Sequence, residues 1–299
     1  MTTSLPSDLP SSDTCLAPDG THLAFHREGS GPPLVCLPGG PMTASAYLGD
    51  LGGLAAHRTL VRLDLRGTGA SAKPVDKASY RVDRQVADVE ALRERLAEED
   101  PAAERIDLLA HSAAGDLALH YAAHHPQRVR SLVLVTARAR AAGIDFPVEQ
   151  RREALPLRSG EPWYGEAVAA FERAMTGAAT DADWSVLDRL VYGRWDAAAQ
   201  AHAALVAELF DEEAAQAYLS PGAFDDAEAV RATLSELDVP VLVLAGELDP
   251  SPRPSAAAQV AGIFPRGELV VQPGSGHNPW IDGPEEFVRT VEGFLARRP

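Results

Sequence analysis

Short apolar runs separated by longer amphipathic stretches set the rhythm of this chain. Runs rich in Val, Ile and Leu, each of strand length, fall at 22–26, 33–37, 60–65, 106–110, 129–135, 239–245 and 268–272. Between them the period changes. Across 82–99, Val86, Val89, Leu92 and Leu96 recur at three- and four-residue spacing, so they share one stripe of a helix while the charged positions fall largely on the other side. Pro101 stops that helix. Two more helices are predicted, over 113–124 and 285–296. Strands alternating with helices predict an α/β fold, a mostly parallel central sheet flanked by helices on both faces.

The alternation breaks between 138 and 237, a stretch helical in character that carries Trp163, Trp184 and Trp195. It is too long to be a connection and reads as an inserted helical cap. The chain then divides into a first part of the core at 1–137, the cap at 138–237 and a second part of the core at 238–299. Insertions at this place lie over the strand ends where α/β sheets bind ligands, which gives the cap a substrate-facing role.

Composition narrows the classes. With 299 residues, 45% of them hydrophobic, the chain can bury a large core. Its formal net charge of -16 would repel a phosphate backbone, which excludes nucleic acid as a partner. The two cysteines, Cys15 and Cys36, form neither a disulfide framework nor a metal-type spacing. The start, MTTSLPSDLPSSDTCL, has no basic opening and no continuous apolar stretch, so neither a signal peptide nor a membrane partner is expected. A cytoplasmic protein is the resulting expectation, with the first dozen residues as a loose arm.

Candidate chemistry centres on LLAHSAAG at 108–115, where Ser112 stands between small residues at the turn from a predicted strand into a predicted helix. A nucleophile elbow needs that shape, and Ala110 and Ala114 stand where its usual G-x-S-x-G pattern has glycine. A serine hydroxyl needs a base, and the base needs an acid to fix its tautomer. Asp249, just past the run VLVLAGELD, and His277, in the glycine-rich turn PGSGHNPW, supply both in the chain order Ser, acid, His. Glu247 competes for the acid role, but Asp249 lies further past the strand end and can reach back toward His277. His111 is expected beside the elbow; His120, His124 and His125 are read as structural or surface residues. Acyl transfer also needs donors for an oxyanion: the N–H of Ala113 at the helix start, and Gly40 in the LPGGP loop after a strand. No metal or organic cofactor is called for.

These residues carry a resemblance that spans nearly the whole chain. It is similar to the α/β-hydrolases, and within them to the proline iminopeptidase-like serine peptidases and their esterase relatives. PGGPM at 38–42 stands where that family has HGGPG, DLRGTGAS at 64–71 resembles its D-x-R-G-x-G-x-S segment, and AHSAAG resembles its G-x-S-x-G-G elbow. Pro38 replaces the histidine and Met42 a glycine. The resemblance implies Ser112 as nucleophile, Asp249 as acid and His277 as base, with Gly40 and Ala113 holding the oxyanion. In DLRGTGAS, Asp64 and Arg66 are expected to pair and brace the loop.

The substrate is read as a small molecule or short peptide. A peptidase releasing one N-terminal residue must hold a free ammonium, and acidic residues on the cap could do so: Asp196 and Glu208, with Trp195 as an apolar wall. The first expectation is an aminopeptidase or amidohydrolase releasing an N-terminal amino acid through an acyl-enzyme. A carboxylesterase acting on an apolar acyl group is the alternative, and a non-catalytic ligand receptor on the same fold is a third.

Overall fold

The computed structural model describes residues 13–297, and the expected loose arm lies outside them. Eight strands form one sheet: β1 (Asp13–Leu16), β2 (His22–Gly29), β3 (Pro33–Leu37), β4 (Thr59–Leu63), β5 (Ile106–His111), β6 (Val129–Val135), β7 (Val241–Gly246) and β8 (Gly267–Gln272). Their spatial order is β1-β2-β4-β3-β5-β6-β7-β8. β2 runs antiparallel to both its neighbours, and the pairs from β4 to β8 are parallel. Each of the seven predicted runs overlaps one of these strands. β1 was not foreseen, because in DTCL only Cys15 is buried and no alternation is there to read.

The helices in chain order are α1 (Val86–Glu99), α2 (Ala114–His124), α3 (Val148–Ala154), α4 (Tyr164–Met175), α5 (Asp181–Leu187), α6 (Ala197–Leu209), α7 (Glu212–Tyr218), α8 (Ala227–Leu234), α9 (Pro254–Ala261), α10 (Pro279–Asp282) and α11 (Pro284–Leu295). α1 starts later than its sequence pattern, since residues Val82–Gln85 form a 3-10 turn first. Parallel strands are buried on both faces, which is why their sequences read as continuous apolar runs. Val35, Leu37, Leu108 and Leu132 pack toward Val89 and Leu92 of α1 and Leu117 of α2. Leu34, Cys36, Leu109 and Val133 pack the other way, toward Phe287, Val291 and Phe294 of α11. The result is a sheet between two helical layers.

Helices α3 to α8 occupy the chain between β6 and β7, within the stretch where the alternation breaks. Their packing is not uniform. Leu155, Trp163, Ala167, Phe171 and Leu190 form a small core of their own. Tyr218 of α7 and Val230 and Leu234 of α8 belong instead to the main core. No helix among the described residues is long and apolar enough to cross a membrane.

The expected Asp64–Arg66 pair does not form. Arg66 donates to Asp88 of α1 (Nε to Oδ2, 2.7 Å) and to Asp19 (2.6 Å). Asp64 accepts from His26 at 2.8 Å, from Ser45 through N–H at 2.9 Å and Oγ at 2.7 Å, and from the Ala70 N–H at 2.9 Å. A Cβ on Gly69 would sit 2.2 Å from the Asp64 carboxylate, so that glycine makes room for the hub. The two side chains brace the loop separately, because each meets partners from other elements that sequence proximity cannot reveal.

Candidate active site

Strand order places the site. The chain leaves β3 toward β4 on one side and later returns to β5 on the other, so the ends of β3 and β5 lie side by side at a topological switch point. The loop after β3 carries Gly39 and Gly40, and the turn after β5 carries Ser112. Ser112 has φ 53°, a left-handed conformation that costs a non-glycine residue roughly 1–2 kcal/mol. The strain is held by backbone bonds on both sides: Ser112 N–H donates to Val135 (3.1 Å), and its carbonyl accepts from Gly115 (3.0 Å) and Arg138 (2.8 Å). Ala110 and Ala114 are tolerated because the tight approach falls elsewhere. A Cβ on Gly115 would lie 2.3 Å from the Arg138 carbonyl oxygen.

The three residues singled out by chain order meet here. Ser112 Oγ lies 2.8 Å from His277 Nε2, and His277 Nδ1 lies 2.8 Å from Asp249 Oδ2. The other Asp249 oxygen accepts the Ser251 N–H at 2.8 Å, and the side chain is fully buried. Glu247 points elsewhere and accepts the Gly274 N–H at 2.8 Å, bracing the loop that carries His277. A hydroxyl, an imidazole and a buried carboxylate in line are what activation of a serine requires.

Gly40 and Ala113 flank Ser112, and the backbone N–H of each has no acceptor among the described residues. Ala113 caps the N-terminus of α2, where the first N–H groups lack helical partners and the helix dipole favours negative charge. Met42, at the position where the resembled family has glycine, has φ 61° and is fully buried, with Gln85 donating to its sulfur at 3.5 Å. The left-handed backbone suits the glycine of the resembled family; here Met42 carries that strain and places its side chain in the core. Gly39 is packed still closer: an added Cβ would lie 2.6 Å from the His111 carbonyl oxygen and 2.8 Å from Ser112 Cβ. Gly39→Ala should therefore push the loop off the elbow and lower kcat roughly 100-fold, as misplacement near 1 Å can do. Steady-state kinetics beside a thermal melt will separate that loss from unfolding; unchanged kcat would contradict the close fit.

A cleft of about 280 Å³ opens over Ser112 and His277. Its far wall comes from α6 and the residues before and after it: Val191, Ala203, Val206, Ala207 and Phe210. Among the described residues lining it, Asp188 is the single carboxylate. The Asp188 side chain is exposed at the rim of the cleft; the protein around it raises its carboxyl above the usual range, and no hydrogen bond or ion pair holds it among the described residues.

The sequence placed the acids of the cleft incorrectly. Asp196 caps α6, accepting the N–H groups of Ala198 and Ala199 at 3.0 Å each and pairing with Arg194 at 2.5 Å. Those bonds hold its carboxyl below the usual range, the Ala199 N–H first. Glu208 is exposed and does not line the cleft. Trp195 packs behind the wall, its ring 5.5 Å from that of Tyr192. Asp196 is an N-cap, a role that Asp followed by an alanine-rich helix announces. Asp188, followed directly by Arg189, had no distinguishing signal in the sequence.

Two further residues complete the site: Tyr47, which has no local signal, and His111, which was expected beside the elbow. Tyr47 Oη accepts the Gly39 N–H at 2.6 Å and lies 2.7 Å from His111 Nδ1. His111 Nε2 lies 3.0 Å from the His277 carbonyl oxygen, which also accepts the Thr136 hydroxyl at 2.8 Å. Burial, with His277 and His202 nearby, holds His111 well below the usual histidine range. Among the described residues no group of three or more His, Cys, Asp or Glu is arranged to hold a metal.

A doubly flanked, mostly parallel sheet with these residues at its switch point is a known architecture, and the chain belongs to the family with the alpha/beta hydrolase fold, whose model matches residues 32–284. Among individual proteins it is similar to a proline iminopeptidase of Heyndrickxia coagulans, 23% identical over 291 residues that cover 91% of this chain and 93% of the relative. It is also similar to a 2-hydroxymuconate semialdehyde hydrolase of Pseudomonas sp. strain CF600, 27% identical over 286 residues, covering 93% and 91% of the two chains. The crystal structure of a proline iminopeptidase from Mycobacterium smegmatis superposes with a TM-score of 0.73 at 25% identity, covering 96% of this chain and 98% of that one.

Proposed function

We propose that this chain is a serine hydrolase that works through an acyl-enzyme. The observation that carries this reading is the unbroken line of contacts from Ser112 through His277 to Asp249, beside two N–H groups without acceptors among the described residues. Ser112 Oγ attacks the substrate carbonyl as His277 Nε2 takes its proton. The oxygen that gains charge is held by the N–H groups of Gly40 and Ala113. Collapse breaks the bond to the leaving group, which departs with the proton from His277, and water then releases the acyl group by the same route. Asp249 keeps the proton on Nδ1, so that Nε2 faces Ser112 as a base. The helices between β6 and β7 act as a cap over this centre, in a cytoplasmic enzyme whose two cysteines stay reduced.

For the substrate, we favour an aminoacyl group released from a peptide or small molecule, with Asp188 taking the amine role first given to Asp196 and Glu208. Asp188, the carboxylate at the rim of this largely apolar cleft, has no partner among the described residues and is free to meet a cation, and a charge-assisted hydrogen bond is worth roughly 1.5–3 kcal/mol. Asp188→Asn should thus raise KM for an aminoacyl arylamide by at least about tenfold and leave an uncharged aryl acetate unchanged. Because the Asp188 carboxyl is raised, its affinity for an amine should fail at a higher pH than an ordinary carboxylate's as acid is added. Equal effects on both substrates would remove the amine site. The apolar wall of α6 supports the second reading, a carboxylesterase, and a preference of wild type for the acetate over every aminoacyl arylamide would establish it.

A further inference from the structure

We infer that Tyr47 and His111 are positioning residues of the reaction, a buried relay that fixes the oxyanion loop and the catalytic histidine relative to each other. The inference rests on the serine-hydrolase reading above. The proton arrangement of the relay follows from its far end. The His277 carbonyl can only accept, so the proton of a neutral His111 sits on Nε2. Nδ1 is then an acceptor, and the Tyr47 hydroxyl donates to it. The lone pairs left on Tyr47 Oη receive the Gly39 N–H. Each group has one role, and reversing any of them would set donor against donor or acceptor against acceptor.

The two ends of this relay are what acyl transfer must keep in register. Gly39 precedes Gly40, whose N–H faces the developing oxyanion. His277 carries the base, and its backbone is held by His111, by the Thr136 hydroxyl and by its own N–H donating to Val191 at 2.7 Å. Tyr47 is fixed in turn from the inserted segment: the Tyr192 hydroxyl lies 2.8 Å from His202 Nδ1, and His202 Nε2 lies 3.0 Å from the Tyr47 carbonyl oxygen. A second tyrosine and histidine thus repeat the arrangement of the first pair and tie α6 to the centre. Neutral histidines suit both places, since burial disfavours the charged form of each.

The test compares wild type with Tyr47→Phe, His111→Gln and the double variant. The readouts are hydrolysis of 4-nitrophenyl acetate per active site titrated with a fluorophosphonate, thermal melts, and the 15N signals of the histidine rings. Tyr47→Phe keeps the ring and removes the hydroxyl; kcat per titrated site should fall roughly ten- to a hundredfold with KM within about threefold. The double variant should be no worse than the poorer single one, because both break the same link. The His111 ring should show the single Nε2–H tautomer in wild type and keep it in Tyr47→Phe, where only the Nδ1 signal shifts as that nitrogen loses its donor. A merely structural role would lower melting temperature and the titratable fraction while leaving kcat per titrated site within about twofold and the single effects additive, and that result overturns the relay. If wild type is neither labelled by the fluorophosphonate nor active, the hydrolase reading itself falls, and the relay as a catalytic device falls with it.

Discussion

Ser112→Ala loses turnover by roughly a millionfold, the scale seen when a serine of such a triad is removed. The folded state should hardly notice. Ser112 is 8% exposed, and alanine at φ 53° carries the same backbone strain as serine. What disappears is the oxygen that His277 deprotonates, and with it every fluorophosphonate adduct. The variant also separates an enzyme from a receptor built on this fold, since a receptor would keep its ligand response without the hydroxyl. Residual turnover within about tenfold of wild type, measured on protein free of wild-type contamination, would transfer the nucleophile's role to another group.

Asp249→Asn is the second large effect. The amide is close to isosteric, and its oxygen can still accept the Ser251 N–H, so the loop keeps its shape. Its NH2 group would then face His277 Nδ1 as a donor, which forces the ring proton onto Nε2 and turns the base into a donor toward Ser112. A fall in kcat of about 10⁴ follows, with KM little changed, as for the same exchange in other serine triads. Glu247→Gln is the control. Its carboxylate holds the Gly274 N–H and does not reach His277, so kcat should stay within about threefold of wild type. Comparable losses in both variants would mean that the acid had been assigned to the wrong side chain.

How much of this was legible in sequence depends on the range over which each feature is encoded. The strands from β2 to β8 announce themselves because each is a local apolar run. Ser112, Asp249 and His277 could be singled out as three residues that meet because each follows such a run and their order matches how an α/β sheet is wound. Asp64 and Arg66 misled because sequence neighbours are not spatial partners: each bonds to residues from other elements. Asp196 misled for another reason, since an acid at a helix start has a local structural use that needs no ligand. Tyr47 and His111 were invisible as a pair, being 64 positions apart and joined only once the loop after β3 has packed beside β5. Burial of a polar group beside another is the information that a pattern of apolar positions does not contain.

The distance along the chain between Ser112 and His277, 165 residues, also has a meaning in time. At a synthesis rate of roughly 5–20 residues per second, the strand and turn that carry Ser112 leave the ribosome about ten to thirty seconds before His277 does. During that interval Ser112 lacks the imidazole that lies against it in the folded protein. On the serine-hydrolase reading, His277 is made only with the turn that follows β8, so hydrolysis would have to wait until both halves of the site had been synthesised.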